Sequence, residues 1–310
     1  MSKPKSTKKK ENKTMSKLET LIAEEQQRSD AYKEQKNAER DELNTMSDEM
    51  VAKATTEPET YLRYLELQAD NPAYSASNIL LAMAQNPEAT TLHSLEQWNK
   101  LGRSVKPQEA GIKVRVSAPY EKDGRKLYGY KVGRAFDISQ TIGMELAERP
   151  LLNEETPELD NALRTLIRMS PVPVKASGEL ETDAVYDPKG KVIEIKPELG
   201  DAETFSALAR EIYHASTHEN NKAIEYNRSE NELDAQSVSY MLCRSLGVDC
   251  KQPNASSVSL FYIDMEPKDQ RDIFDGMRQS FRSMQQEIVK ELAPPEKRQT
   301  RGNKHRGASR

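Results

Sequence analysis

This sequence is short of cysteine, of long apolar runs and of hydrophobic residues in general. Two cysteines among 310 residues, Cys243 and Cys250, are too few for a disulfide framework and read as the reduced thiols of a cytosolic protein. No stretch reaches the roughly 20 apolar residues that a membrane-spanning helix requires, so no membrane partner is expected. The opening MSKPKSTKKKENK has lysines but no apolar core, and a secretory signal is not expected either. Hydrophobic residues make up 35% of the chain, against about 45–50% in a typical globular domain. The length suits two modest domains, and the apolar shortfall implies solvated extensions beside them.

Charge is spread unevenly. Residues 1–17 hold seven lysines and one acid, a net +6, and residues 293–310 hold six bases and one acid, a net +5. Since the whole chain is −4, the body between them carries −15. Both tails lack the apolar surface to offset the entropy of ordering and are expected to be disordered, serving as solubilising ends or as transient phosphate contacts. Residues 18–57 are rich in Glu, Gln, Lys and Ala with a thin apolar stripe, which suggests a frayed helical spacer closed by Pro58. The expected organisation is an extension over 1–57, domains over 58–148 and 150–292, and a tail over 293–310.

From 58 the apolar residues recur at helical spacing. Tyr61, Leu62, Leu65 and Leu67 mark one helix, and Ile79, Leu80, Leu81 and Met83 mark a second, capped by Ser75 or Ser77 and stopped by Pro87. A short third helix over SLEQWNKLG has Ser94 as its cap and Gly102 at its C-terminal end. The period then changes to two through GIKVRVSAPY and DGRKLYGYKVGRAFDIS, with Asp123-Gly124 as a hairpin turn. Residues 100–134 contain ten bases and three acids, a net +7. Lys100, Arg103, Lys106, Lys113, Arg115, Arg125, Lys126, Lys131 and Arg134 are interleaved with Tyr120, Tyr128 and Tyr130. Cations that hold phosphates beside rings that stack on unpaired bases form a single-stranded nucleic-acid platform. The same residues also suit a solvated sheet face whose tyrosines pack on the helices.

The run YSASNILLAMAQNPEATTLHSLEQWNKLGRSVKPQEAGIKV, followed by FDISQT, resembles the N-terminal domain of ArdC-type antirestriction proteins and their LtrC-like relatives of mobile elements. Its landmarks are Tyr74, Ser75 and Asn78, then Gln85 and Pro87, then Trp98, Gly102, Arg103 and Val105, then Gly111 and Ile112, and finally Phe136, Asp137, Ile138, Gln140 and Thr141. The resemblance implies binding of single-stranded DNA by 58–148, and it favours the platform reading of the basic hairpin.

Beyond 150, PELDNALRTLIRMS places Leu159, Leu163, Leu166 and Ile167 on one side of a helix. VPVKAS and AVYDPKGKVIEI read as strands with Pro-Lys-Gly as a turn, and two helices follow, the second ending at Gly247. A hairpin and two helices are the minimal body of a zincin peptidase. In a zincin two His at i and i+4 bind the metal, a Glu beside the first is the general base, and a later helix supplies the third ligand. Here Glu211 and His214 stand at the base and second-His positions, but Arg210 stands at the first. The resemblance reaches this half as well, through AVYDPKGKVIEI and SVSYMLCRSLGVD, and it implies Glu232 as third ligand from the Glu-x-x-Ala spacing to Ala235. It covers roughly 58–285 and departs at the first metal ligand.

Arginine has no lone pair to donate, and His214 with Glu232 leaves two protein ligands where catalytic zinc usually has three. The expectation is a degenerate site in which Arg210 bridges to Glu232 or Glu211, with no cofactor expected and zinc doubtful. His218, four residues after His214, could complete a displaced site with Glu232, leaving Glu211 a turn away from where a base is needed; otherwise it is a polar residue near a helix end. Cys243 reads as a small buried hydrophobe. Ile273, Met277, Phe281, Met284 and Ile288 mark a final amphipathic helix. The fold expected is α+β: helices and an antiparallel hairpin, then a zincin-like (ImmA/IrrE-type) α+β domain, with basic tails. The function expected is that of a cytoplasmic, mobile-element-associated single-stranded DNA-binding protein. An active zinc metallopeptidase using Glu211 as base is the alternative.

Overall fold

The computed structural model describes residues 16–147, 151–152, 155–220 and 225–293. The expected tails over 1–15 and 294–310 lie outside them. Helix α1, Lys17–Ala54, takes up the expected spacer, and the chain divides into two compact units between Asn44 and Thr45. Within the first, α1 is solvated, with Leu18, Leu21, Ile22 and Tyr32 exposed. Its surface carries i,i+3 ion pairs such as Arg28–Glu25 at 2.8 Å, which stabilise an exposed helix by about 0.2–0.5 kcal/mol each.

The second unit is α+β. Val51 and Ala54 at the end of α1 are buried in its core. Helix α2, Pro58–Asp70, starts with Pro58 in its first turn, so this proline opens α2 rather than closing the spacer, as suits a residue with no N–H to leave unsatisfied. In α3, Ala76–Gln85, the Ser75 side chain accepts from the Asn78 N–H. Helix α4, Leu95–Lys100, has a reciprocal capping box between Ser94 and Gln97. Gly102 lies two residues beyond its last turn, with φ at +73°, a conformation that favours glycine.

Strands β1 (Leu92–His93), β2 (Arg103–Val105), β3 (Ile112–Lys122), β4 (Arg125–Asp137) and β5 (Thr141–Gly143) follow. They form an antiparallel sheet ordered β1-β4-β3 and a small β2-β5 pair. Asp123 and Gly124 both have positive φ, +53° and +70°, as the expected two-residue hairpin turn requires. Strand β3 is an edge, and α3 closes its base with two side-chain amides. Asn78 exchanges hydrogen bonds of 2.9 and 2.8 Å with the Arg115 carbonyl and N–H. Gln85 does the same with Lys113 at 2.9 and 2.8 Å. Two of the motif residues thus act as a substitute strand. Pro119 belongs to the same outward-pointing alternate set as Lys113 and Arg115, where its missing N–H costs no ladder bond.

Helix α5, Pro157–Met169, buries Leu159, Ala162 and Leu166. Ile167, expected on that face, is 51% exposed, because its position has rotated past the edge of the apolar stripe. Strands β6 (Val174–Ala176), β7 (Ala184–Asp187) and β8 (Val192–Ile195) form a sheet ordered β6-β8-β7. In it β6 runs parallel and β7 antiparallel to β8. The β7–β8 turn is held by the Asp187 carboxylate, which accepts from the Lys189 and Gly190 N–H groups at 2.9 Å each. Helices α6 (Asp201–Asn220), α7 (Arg228–Leu246), α8 (Val258–Phe261) and α9 (Pro267–Leu292) complete the unit. Gly247 ends α7 in the left-handed region, and α9 buries Met277, Phe281, Met284 and Ile288 as expected.

One hydrophobic core runs through both expected domains. Tyr64 of α2 lies 4.4 Å from Phe274 of α9, centroid to centroid. Tyr61 meets Phe274 edge-on at 5.8 Å, and its hydroxyl shares a 2.8 Å hydrogen bond with Ser237 of α7. The segments 58–148 and 150–292 are therefore not separated by a break in packing. Replacing Asn78 or Gln85 by Ala removes a two-bond patch from the β3 edge. Each substitution is expected to lower stability by about 1–2 kcal/mol in urea unfolding followed by circular dichroism, while Glu88→Ala on the exposed surface is expected to leave it unchanged.

Candidate functional site

The sheet, α6 and α7 converge on Glu211. Its side chain is 0% exposed, and a carboxylate taken fully out of water is costly unless donors surround it. Four groups do so. The Tyr186 N–H of β7 donates to Oε2 at 2.7 Å, Arg210 Nε donates to Oε1 at 3.0 Å, and Arg228 forks across both oxygens at 2.7 Å each. The Arg210 bridge to Glu211 is one of the two expected from the sequence. Arg228 was not anticipated. It opens α7 four residues before Glu232, and that i,i+4 placement was the signal for a second cation near the site.

His214 is one turn along α6 and also fully buried. Tyr226, whose phenol burial pushes well above its ordinary pKa, faces His214 Nδ1 at 2.8 Å, and His214 Nε2 faces Glu232 Oε2 at 3.1 Å. With a proton on Nε2 and none on Nδ1, the ring accepts from Tyr226 and donates to Glu232. Gln236 donates to the other Glu232 oxygen at 2.9 Å, and Arg228 lies 3.4 Å from Oε2. Burial alone would raise the Glu232 pKa. The His214 and Gln236 hydrogen bonds, with the charges of Arg210 and Arg228, outweigh it and hold the carboxyl at about 2.

The structure thus brings Arg210, Glu211, His214 and Glu232 together and leaves His218 apart. The His218 Nδ1 is 2.7 Å from the Tyr186 hydroxyl, and its ring lies 5.1 Å from that of Tyr226, so the imidazole is directed to the tyrosines rather than to Glu232. Arg210 has no lone pair for a metal, the oxygens of Glu211 are taken by donors, and His214 Nε2 and Glu232 converge on each other. Among the described residues no group of three His, Cys, Asp or Glu side chains is placed to hold a metal ion. Cys243 is buried and unpaired to any disulfide.

The basic hairpin is sorted by its register. Residues paired across an antiparallel ladder share a face, and the pairs are Lys113 with Arg134, Arg115 with Val132, Ser117 with Tyr130, Pro119 with Tyr128, and Glu121 with Lys126. Lys113, Arg115, Lys126, Tyr128, Tyr130 and Arg134 therefore share one face. The opposite face carries Tyr120, Arg125 and Lys131, with Tyr120 paired to Leu127 and Lys131 to Val116. Tyr120 lies across Gly129, where an added Cβ would meet its ring at 3.1 Å. The twelve expected contacts are thus not one surface. Lys100 sits on α4 paired with Glu96 at 2.6 Å. Arg103 donates to the Thr141 hydroxyl at 2.8 Å and stacks over Trp98, and Lys106 donates to the Ser139 carbonyl at 2.7 Å. Trp98 itself is buried, its Nε1–H donating to the Phe136 carbonyl at 2.9 Å. Tyr74 packs against the core, and the Pro87 carbonyl accepts from Arg63.

Fold and site together define an α+β chain in which a two-faced basic hairpin accompanies a buried His/Glu/Arg network on paired helices. Two solved structures of the antirestriction protein ArdC from plasmid R388 share this fold. The metal-free one matches with a TM-score of 0.52 at 19% identity, over 80% of this chain and 97% of that one. The Mn(II)-bound one matches with a TM-score of 0.52 at 20% identity, over 82% and 98%. The resemblance to ArdC-type proteins is thereby matched at the level of the fold. No family model and no curated protein sequence matches the chain.

Two outcomes test the network. Arg228→Met strands the buried Glu211 charge and is expected to cost about 3 kcal/mol or more in urea unfolding, with Arg228→Met/Glu211→Leu recovering much of the loss. The pair Arg210→His/Arg228→Ala restores an i,i+4 histidine pair and empties the guanidinium position. Elemental analysis after gel filtration is expected to find Mn(II) retained by this variant and not by the native chain.

Proposed function

We propose that this chain is an antirestriction-type protein of a mobile element that binds single-stranded DNA through one face of the β3–β4 hairpin, and that its zincin-like half is not a peptidase. The observation that carries the reading is the shared face: four cations, Lys113, Arg115, Lys126 and Arg134, with Tyr128 and Tyr130 at 76% and 64% exposure. Large exposed rings have a use where another planar group can stack on them. Tyr128 and Tyr130 are two residues apart on one strand, about 6.8 Å along it. That is twice the roughly 3.4 Å per nucleotide of a stacked strand, so the two rings suit a strand drawn out of its stack, or every second base. The antirestriction role is supported by the ArdC fold, and the non-peptidase reading by Arg210 and by the filled Glu211 carboxylate. No described helix is long and apolar enough to cross a membrane.

Anisotropy with a fluorescent unpaired oligonucleotide tests the reading. Four phosphate contacts at most give a log–log salt slope of about −3 or shallower. Tyr128→Ala and Tyr130→Ala are each expected to lose about 1–3 kcal/mol of binding, and Tyr120→Ala, on the other face, to lose little. No affinity at low salt would end the nucleic-acid reading, and an equal loss from Tyr120→Ala would end the assignment to one face.

A further inference from the structure

A cavity of about 770 Å³ opens between the end of α6, the first turns of α7, α8 and the start of α9. It adjoins the buried network at His218 and Tyr226 but takes in none of Glu211, His214 or Glu232. One wall is apolar, built by Leu260, Phe261, Met265 and Ile273. Leu260 is 67% exposed there, which places a large aliphatic side chain in water at the rim. The facing wall is acidic: Glu225 and Glu230 stand exposed at the mouth, and Asp234 is half-buried deeper in. The Tyr262 hydroxyl donates to one Asp234 oxygen at 3.1 Å. Among the described lining residues there is no Lys or Arg to answer the three carboxyl groups.

Such a cavity asks for an occupant that is apolar along its length and cationic at its tip. Burial raises the pKa of the Asp234 carboxyl to about 7, so its ionised form gains most from a charge-assisted partner, while the Leu260 wall gains from alkyl surface removed from water. A Lys or Arg side chain combines the two, an aliphatic stem carrying a charged head. One such side chain does not fill a cavity of this size, which falls in the upper range of ligand pockets of about 300–1,000 Å³. Neighbouring residues of the same segment would have to enter with it. Ser229 and Thr217 on the rim offer hydroxyl groups to its backbone.

We propose that this cavity binds a peptide segment of a partner protein, with a Lys or Arg side chain reaching Asp234 and an adjacent apolar side chain lying on Leu260 and Met265. The site is separate from the hairpin and does not depend on the nucleic-acid reading.

The test uses the full chain and two fluorescein-labelled pentapeptides, Ala-Leu-Lys-Leu-Ala and its Glu counterpart, followed by anisotropy. The Lys peptide is expected to bind at least tenfold tighter than the Glu peptide. Asp234→Asn is expected to weaken it about tenfold, and so is Glu230→Lys at an exposed position where folding is not at risk. Tyr128→Ala on the hairpin is expected to leave peptide binding unchanged. Equal binding of the two peptides, no binding of either, or indifference to Glu230→Lys would overturn the proposal. If lysine methylamide alone binds as tightly as the pentapeptide, the occupant is a small amine and the peptide assignment falls.

Discussion

A carboxylate with no exposed surface is the constraint around which the α6–α7 half is arranged. A carboxyl this deep in the protein needs donors around it, and each donor to Glu211 fixes a different element. The Tyr186 N–H ties it to β7, Arg210 to its own helix, and Arg228 to the start of α7. Because Arg228 also approaches Glu232, the cation that neutralises one acid orients the next. Glu232 in turn receives the His214 ring, so the position of the imidazole follows from the burial of a charge one turn away.

Both oxygens of Glu211 and both ring nitrogens of His214 are engaged by neighbouring groups. The network gives rigidity: α6, α7 and the β6–β8–β7 sheet are locked together by charge-assisted bonds, about twice as strong as neutral ones. The aromatic contacts among Tyr61, Tyr64, Tyr262 and Phe274 then hold α2 on that frame, and with α2 comes the helix whose amides seat the hairpin.

Much of this was legible in the sequence. Period-two alternation with Asp123-Gly124 located the hairpin, capping residues located α3 and α4, and Glu211 with His214 located the buried pair. The rest depended on long-range geometry. Which tyrosines share a face with Lys113 and Arg115 follows from register across the turn, and the sequence order of Tyr120, Tyr128 and Tyr130 does not contain it. Arg228 was missed because the pattern sought was one of ligands, and a guanidinium enters such a site as a competitor for them. Tyr61 and Phe274 lie 213 positions apart in the chain and meet only because α9 returns across α2. Asn78 and Gln85 stood out as motif residues, yet their work as edge-sealing amides has no signature apart from the strand they seal.

The closed edge of β3 bears on how the protein behaves when it is crowded. An exposed two-stranded arm rich in tyrosine is a ready template for strands of other copies, and concentrated samples of such proteins tend toward fibrils. Here the arm is protected at intervals. The amides of Asn78 and Gln85 occupy the edge at its root, and Pro119 removes a donor halfway along. An incoming strand would find no uninterrupted row of partners along β3, so growth from this edge is starved at its first step.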